Sequence, residues 1–465
     1  MTGRAWFPRT TASAVLALAI LLRLVGIVVN NEANDPHLEV SQIMAYQHRI
    51  PAATEVWEAN QPKLYHATVA LILRVLPGGL KGTTQIRVAQ AVSCAAGIWT
   101  LLILRAFLSD LPLSERARQI GFALVALNPK MIATSIQATN DAFVILFGTV
   151  AIAAGYRFFK NFGRRDFAMM AAGVVLACIS KGNGLPVAIA IVGAFVAALL
   201  KPTVARSQIL GFATLSLLVF VAIVPVAGEY WSRYQQTGNA FWISQEPSPP
   251  PHFLEPSYPK SKRLGITSVV SGYFTFRLLD LLKEPLVTND PDVYPPHRTS
   301  LWSFVYGSAH SNHYDYYPQS WQSDSASVLW LLRTTWILAL IPTALLALGV
   351  VRGTLRTAVA GLRRVASTDW SAEVLLAAAA AGYAIFLMAY CYKYRDFATM
   401  KPIFLYPAVA AYVAYYAREV DRLDRRGVGV ASKVAYGSAI LLCVAYVADT
   451  AILLIQLLAL RLHLS

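Results

Sequence analysis

Residues 11–29 read TASAVLALAILLRLVGIVV and run directly into residues 30–65, NNEANDPHLEVSQIMAYQHRIPAATEVWEANQPKLY. The first piece is 19 residues with one charge, Arg23, long enough as a helix to cross the roughly 30 Å of bilayer hydrocarbon. The second collects acids, histidines, amides and aromatics at the mouth of that helix. An apolar span that opens onto such a segment begins a membrane protein with chemistry at the helix end. Pro36 biases Asp35 away from the α-region. From His37 the apolar residues Leu38, Ile43 and Met44, followed by Tyr46, predict a short amphipathic helix lying along the membrane surface and ending near Pro51. The plain structural reading of Asp35 is the cap of that helix.

The remaining sequence agrees with a polytopic all-α chain. Of 465 residues, 56% are hydrophobic, above the roughly 45–50% apolar content of soluble domains. Apolar runs of spanning length occur near 11–29, 86–108, 118–138, 139–159, 183–200, 207–228, 327–350, 371–391, 398–417 and 434–459, with a shorter one near 167–180. These predict about 11 transmembrane helices. The net charge is +15, and twenty of the 40 Lys and Arg lie in six short connections at alternate helix ends. That is the positive-inside pattern, so the basic excess orients the chain in lipid and implies no nucleic acid. Cys94, Cys178, Cys391 and Cys443 lie in or beside apolar runs and match no metal motif. The first apolar run is too long for a signal-peptide core and lacks a small-residue cleavage site, which predicts an uncleaved anchor.

With the N-terminus inside, residues 30–65 fall outside. Residues 64–77 are too short to span and contain Arg74; crossing there would put every later basic connection on the wrong side. They are expected to form a re-entrant or surface helix. Three parts follow: a transmembrane module over 1–228 that includes the first outer loop, an extracytoplasmic loop domain over 229–326, and C-terminal transmembrane helices over 327–465. The loop domain is rich in Pro, Tyr and His, with one helix expected across 268–283. No internal repeat is visible.

Ionisable groups at membrane depth are costly and mark function. Those the topology places near the outer leaflet are Arg23, Asp35, Arg87, Asp141, Lys181, Arg395 and Lys401. Acids and cations gathered at one leaflet suit an anionic head group held by Lys and Arg with a carboxylate beside it. The motifs around them are Asp35-Pro36-His37; Gln61-Pro62-Lys63-Leu64-Tyr65; Arg87 at a helix start; Leu127-Asn128-Pro129 followed by Thr139-Asn140-Asp141-Ala142; Ser180-Lys181-Gly182; and Lys401-Pro402-Ile403-Phe404-Leu405-Tyr406-Pro407. In this order they resemble the GT-C superfamily of membrane glycosyltransferases, above all the branch of protein O-mannosyltransferases and the lipid A aminoarabinose transferase. The likeness spans about residues 10–417. The chain departs from the family's pattern in two places: Pro36 follows the acid where Glu is usual, and Lys63 replaces the second proline of Pro-Pro-Leu-Tyr. The first departure leaves Glu32, Asp35 and Glu39 all open as the working acid.

The resemblance implies transfer of a sugar, with inversion, from a polyprenyl-phosphate donor to a lipid, glycan or protein acceptor on the extracytoplasmic face. Asp35 is then the general base. Lys181, Lys401 and Arg87 hold the lipid phosphate, Asp141 orients a cation or a sugar hydroxyl, Gln61 and Tyr65 line the donor site, and His37 stands beside the acid. Each has a plainer reading: Lys181 and Lys401 as interfacial charges, Arg87 as a head-group anchor, Asp141 as a first-turn acid, Tyr65 as a belt aromatic and Gln61 as a turn residue. No cofactor is expected. A divalent metal is conceivable at His37, or at His310 and His313 with Asp315; Asp290-Pro291-Asp292 has a metal-like spacing in a proline-rich turn. Membrane lipids are the surroundings, and a bacterial inner membrane with the site facing outward fits the composition. A transporter would share the helices and buried charges but should show paired, interrupted halves. An O-antigen polymerase or ligase shares the large outer loop but not the acid-rich segment after the first helix.

Overall fold

The computed structural model describes residues 9–76, 81–200, 206–221, 224–238, 272–285, 300–312, 319–323, 325–363, 369–393, 400–427 and 429–462. Among these residues the chain is helical, with no strand. In order the helices are α1 (Arg9–Val29), α2 (His37–Tyr46), α3 (Leu64–Val75), α4 (Gly82–Asp110), α5 (Glu115–Ala126), α6 (Pro129–Ile136), α7 (Asp141–Asn161), α8 (Arg164–Ser180) and α9 (Leu185–Leu199). Then come α10 (Arg206–Val221), α11 (Val224–Thr237), α12 (Leu278–Lys283), α13 (Leu301–Ala309), α14 (Ala326–Leu362), α15 (Trp370–Lys393), α16 (Val409–Arg425) and α17 (Gly429–Arg461). Short 3₁₀ turns occupy Gly182–Gly184, Gln319–Trp321 and Pro402–Ala408. Seven of the helices, α1, α4, α7, α9, α14, α15 and α17, are long and apolar enough to cross a membrane.

Two apolar runs that read as single spans are divided. The run over 118–138 breaks between α5 and α6, because Asn128 precedes Pro129 and leaves the helix there. The Asn128 side chain then caps α6 by accepting from the Met131 amide (3.1 Å), with Pro129 in the first turn. The run over 398–417 starts as the 3₁₀ turn Pro402–Ala408, which contains Pro407, before α16 begins. Over 207–228 the described residues are helical, and α11 continues to Thr237 into what reads as loop. The helix expected across 268–283 is present at its C-terminal end as α12. The surface helix expected over 64–77 is α3. It is tied to α2 by Arg74, whose guanidinium donates to the Ala45 carbonyl (3.1 Å) and to that of Met44.

Arg23, one of the ionisable groups that the topology places near the outer leaflet, is fully buried. Its Nη1 donates to the carbonyls of Ala19 (2.8 Å) and Ala126 (3.0 Å), and its Nε to Ser135 Oγ (3.1 Å). The Ala126 carbonyl is one that the α5 break deprives of a helical partner, so this charge repairs the break.

The helices close on α7. Gly173 of α8 faces Ala151 so closely that a Cβ would stand 2.7 Å from its amide nitrogen, and Gly148 of α7 faces the Pro407 carbonyl at 2.6 Å in the same sense. One end of the bundle is laced by ion pairs: Arg157 with Asp110 (2.6 Å), Arg418 with both oxygens of Glu373 (2.6 and 2.7 Å), and Asp421 with Arg425 and the Ser114 amide. These are the residues that the charge rule assigns to the inside. At the opposite end, the C-termini of α1 and α8 meet the N-termini of α7 and α9 and the start of the Pro402–Ala408 turn. There residues 30–65 fold over the bundle.

Candidate active site

The polar segment is fixed before it presents a side chain. Asn30 Nδ2 donates to the Ile136 carbonyl (2.9 Å), the Ala138 amide to the Ala33 carbonyl (2.9 Å), and Gln90 Nε2 to the carbonyls of Glu32 (2.8 Å) and Asn30 (3.3 Å). Asn34 takes the left-handed conformation at φ +64°, which its short polar side chain tolerates. Asp35 follows, but it does not cap α2: the cap position is Pro36, and no side chain bonds there. Instead Asp35 Oδ2 lies 3.4 Å from His37 Nε2. The other nitrogen of that ring, Nδ1, lies 3.0 Å from His66 Nε2, and both histidines are buried.

Across from this chain stand Asp141 and Lys181. Asp141, in the first turn of α7, pairs with Lys181 Nζ at 2.8 Å, and both side chains are about nine-tenths buried (10% and 11% exposed). The Lys181 ammonium also lies 5.8 Å from the centre of the Phe404 ring, which the turn after Lys401 supplies. The charges act on one another. Burial raises the Asp35 pKa, but His37, Lys181 and Lys401 together hold its carboxyl well below the usual carboxylate range. Burial lowers the His37 pKa, and Asp35 and Glu58 more than reverse it, so it is raised. Lys181 is likewise raised, because Asp141, Glu58 and Asp35 outweigh its burial. His66 falls well below its ordinary value, through burial and the neighbouring His37, and is neutral.

Glu58 completes the cluster. It sits at φ +65°, an unfavourable conformation for a side chain of its kind. The turn around it is held by Lys63, which donates to the carbonyls of Ala59 (2.7 Å) and Gln61, and by Arg233 of α11, which donates to the Asn60 carbonyl. Lys63, the departure from the family's proline, thus has an identifiable task.

Asp35, His37, Asp141, Lys181 and Lys401 are therefore brought together. Gln61 stands on the Glu58 turn, its amide donating to the Glu58 carbonyl (3.1 Å). Tyr65 is buried beside His37, with its hydroxyl donating to the Ala89 carbonyl (3.0 Å) and accepting from Ser93 (3.2 Å); it anchors α3 to α4. Arg87 lies exposed on α4, with no side-chain hydrogen bond or ion pair among the described residues. Of the three acids open in the sequence, Glu32 is exposed and accepts from Ser320 (2.9 Å), Glu39 is exposed on α2, and Asp35 faces the cluster. Sequence reading missed Glu58 and His66. The signal for both lay in the same polar segment, as an acid four residues before Pro62 and a histidine next to Tyr65.

Asp35, His37 and Glu58 each offer one ligand atom, and these atoms lie within 4.8 Å of one another. His310 has other partners, with its ring nitrogens against Tyr446 and Thr343. His313, Asp315, Arg395 and Asp290-Pro291-Asp292 lie outside the described residues.

An all-helical membrane chain with acids and lysines gathered at one end of its bundle fits the class read from the sequence, the GT-C membrane glycosyltransferases. Residues 81–235, from α4 to α11, match the family model described as dolichyl-phosphate-mannose-protein mannosyltransferase, and this bears out the resemblance. The match covers about one third of the chain. The crystal structure of ArnT from Cupriavidus metallidurans bound to undecaprenyl phosphate aligns with a TM-score of 0.47 and 13% identity, over 90% of this chain and 61% of that one. The chain thus spans less than two thirds of that protein's length. No curated protein matches it.

Proposed function

We propose that the chain is an inverting glycosyltransferase that moves a sugar from a polyprenyl-phosphate donor to a lipid, glycan or protein acceptor on the extracytoplasmic face. The observation that carries this reading is the meeting of Asp35 with Lys181 and Lys401, on three separate pieces of chain, at the bundle end opposite the basic connections. The family match over residues 81–235 supports the same donor class.

In the proposed step, an Asp35 oxygen takes the proton from the acceptor hydroxyl as that oxygen bonds to the anomeric carbon. The bond from this carbon to the phosphate oxygen breaks, and the electron pair leaves with the polyprenyl phosphate. Lys181 and Lys401 stabilise the charge the phosphate gains, a contribution that is usually large in such steps. Asp141 keeps Lys181 charged and aimed. Neighbouring cations make Asp35 a weak base in the resting site, and the arriving phosphate offsets them. A bacterial inner membrane with the site facing the periplasm is the fitting location.

The test is release of free polyprenyl phosphate from a panel of polyprenyl-phosphate sugars, with a crude membrane and glycan extract as acceptor. Wild type should consume one donor, and a folded Asp35→Asn variant should be slower by about 100-fold or more. Equal rates would remove Asp35 from the role, and a panel left untouched would count against the transferase reading.

A further inference from the structure

We propose that Asp35, His37 and Glu58 bind one divalent transition-metal cation, Mn²⁺ or Zn²⁺, at the edge of the lysine pair. The proposal deepens the transferase reading by naming a charge-balancing ion for that site; the binding itself requires neither donor nor acceptor.

Four observations converge. The first is spacing. Ligands about 2.0–2.2 Å from such an ion lie roughly 3–4.3 Å from one another, and the three ligand atoms already lie within 4.8 Å, with Asp35 and His37 at 3.4 Å. Only small movements separate the group from a coordination sphere. The second is support from outside the trio. Metal-bound histidines characteristically have the far ring nitrogen hydrogen-bonded, and His37 Nδ1 has His66 Nε2 at 3.0 Å, in a fully buried position. With Nδ1 as the donor, the Nε2 lone pair faces the two carboxylates.

The third is charge. With His37 neutral, as a metal ligand must be, Asp35, Glu58 and Asp141 against Lys181 and Lys401 leave one net negative charge beside a proposed phosphate site. Two carboxylates drawn together repel each other. A divalent ion relieves that repulsion and makes the balance positive, which favours an arriving phosphate. The fourth is backbone. Glu58 holds φ +65°, a left-handed conformation that is costly for a residue of its kind, and Lys63 and Arg233 pin the carbonyls that follow it. A strained residue held by two buried or half-buried cations is placed for its side chain.

The ligand set selects the ion. Ca²⁺ and Mg²⁺ favour oxygen ligands throughout, whereas an imidazole with two carboxylates suits Mn²⁺ or Zn²⁺. Three protein ligands leave positions open, as in a catalytic rather than a structural site.

The experiment is titration of the purified full chain, stripped with chelator, with MnCl₂ followed by electron paramagnetic resonance, and with ZnSO₄ by calorimetry. One ion should bind per chain. Glu58→Gln should weaken binding at least tenfold, and His66→Phe by about 10- to 100-fold, the range seen when the outer partner of a ligand histidine is removed. Glu39→Gln, an exposed acid on the same segment, should bind as wild type does. Absence of saturable binding, or a Glu58→Gln protein that binds both ions as tightly as wild type, overturns the proposal. Because no donor is present, failure here is separable from failure of the transferase reading, which would appear as intact metal binding with no donor consumed.

Discussion

The Asp141–Lys181 pair shows how one interaction serves stability and chemistry together. Two charges about nine-tenths buried at 2.8 Å are tolerable only together; removing one partner of such a pair costs about 3–5 kcal/mol. Lys181→Met should therefore lower thermal stability markedly. The double variant Lys181→Met, Asp141→Asn should recover most of that loss, because no buried charge is left unpaired. If Lys181 also holds the donor phosphate, polyprenyl phosphate should still bind the double variant about tenfold or more weakly, since a charge-assisted hydrogen bond of roughly 1.5–3 kcal/mol is gone. Recovery of both stability and binding would reduce Lys181 to a structural partner. At this scale the sequence was informative wherever the signal was a charge next to an apolar run: Asp35, Asp141, Lys181 and Lys401 all stand in the cluster. It was silent on Glu58, because a left-handed turn, and no periodicity, aims that acid. Arg87 stands exposed on α4, whereas Tyr65 is buried beside His37. Helix register sets whether a side chain at a helix start faces neighbouring helices or solvent, and a motif does not contain it.

Among the elements, close approach between helices depends on missing side chains. A Cβ at Gly173 would meet the backbone of Ala151, which cannot move aside as a flexible side chain could. Gly173→Ala should lower stability by about 1–3 kcal/mol, the usual cost of forcing extra atoms into a packed interior. Gly193 of α9 has nothing within 4 Å of an added Cβ. Gly193→Ala should be neutral or stabilising by up to about 1 kcal/mol, from helix propensity alone. Thermal unfolding of the two variants in one detergent decides the matter, and equal effects would remove the packing argument. The same elements explain why hydropathy overstated some helices. The run over 118–138 is continuously apolar, yet Asn128-Pro129 divides it. Apolarity reports the environment of a segment, whereas proline and its predecessor report its conformation. Where both agreed, as over α1, α4, α7 and α17, the spans were legible.

At the scale of the whole molecule, the two bundle ends differ in what their charges do. The end carrying Arg157, Arg352, Arg418 and Arg425 satisfies them in ion pairs with Asp110, Glu419, Glu373 and Asp421. The end carrying Asp35 and Lys181 gathers acids and cations around a substrate-sized problem, the binding and release of a phosphate. The positive-inside rule assigns the first end to the cytoplasm, and that orientation can be measured without knowing any substrate. All four native cysteines are buried, so single cysteines at exposed positions give a clean readout in sealed, right-side-out membrane preparations. Glu39→Cys, on α2, should react with a membrane-impermeant maleimide added outside. Arg426→Cys, after α16, should react only once the membrane is opened. The reverse pattern would put the Asp35 cluster on the cytoplasmic side, where a donor and acceptor presented outside could not reach it, and the proposed reaction would have to be recast for substrates of the inner face.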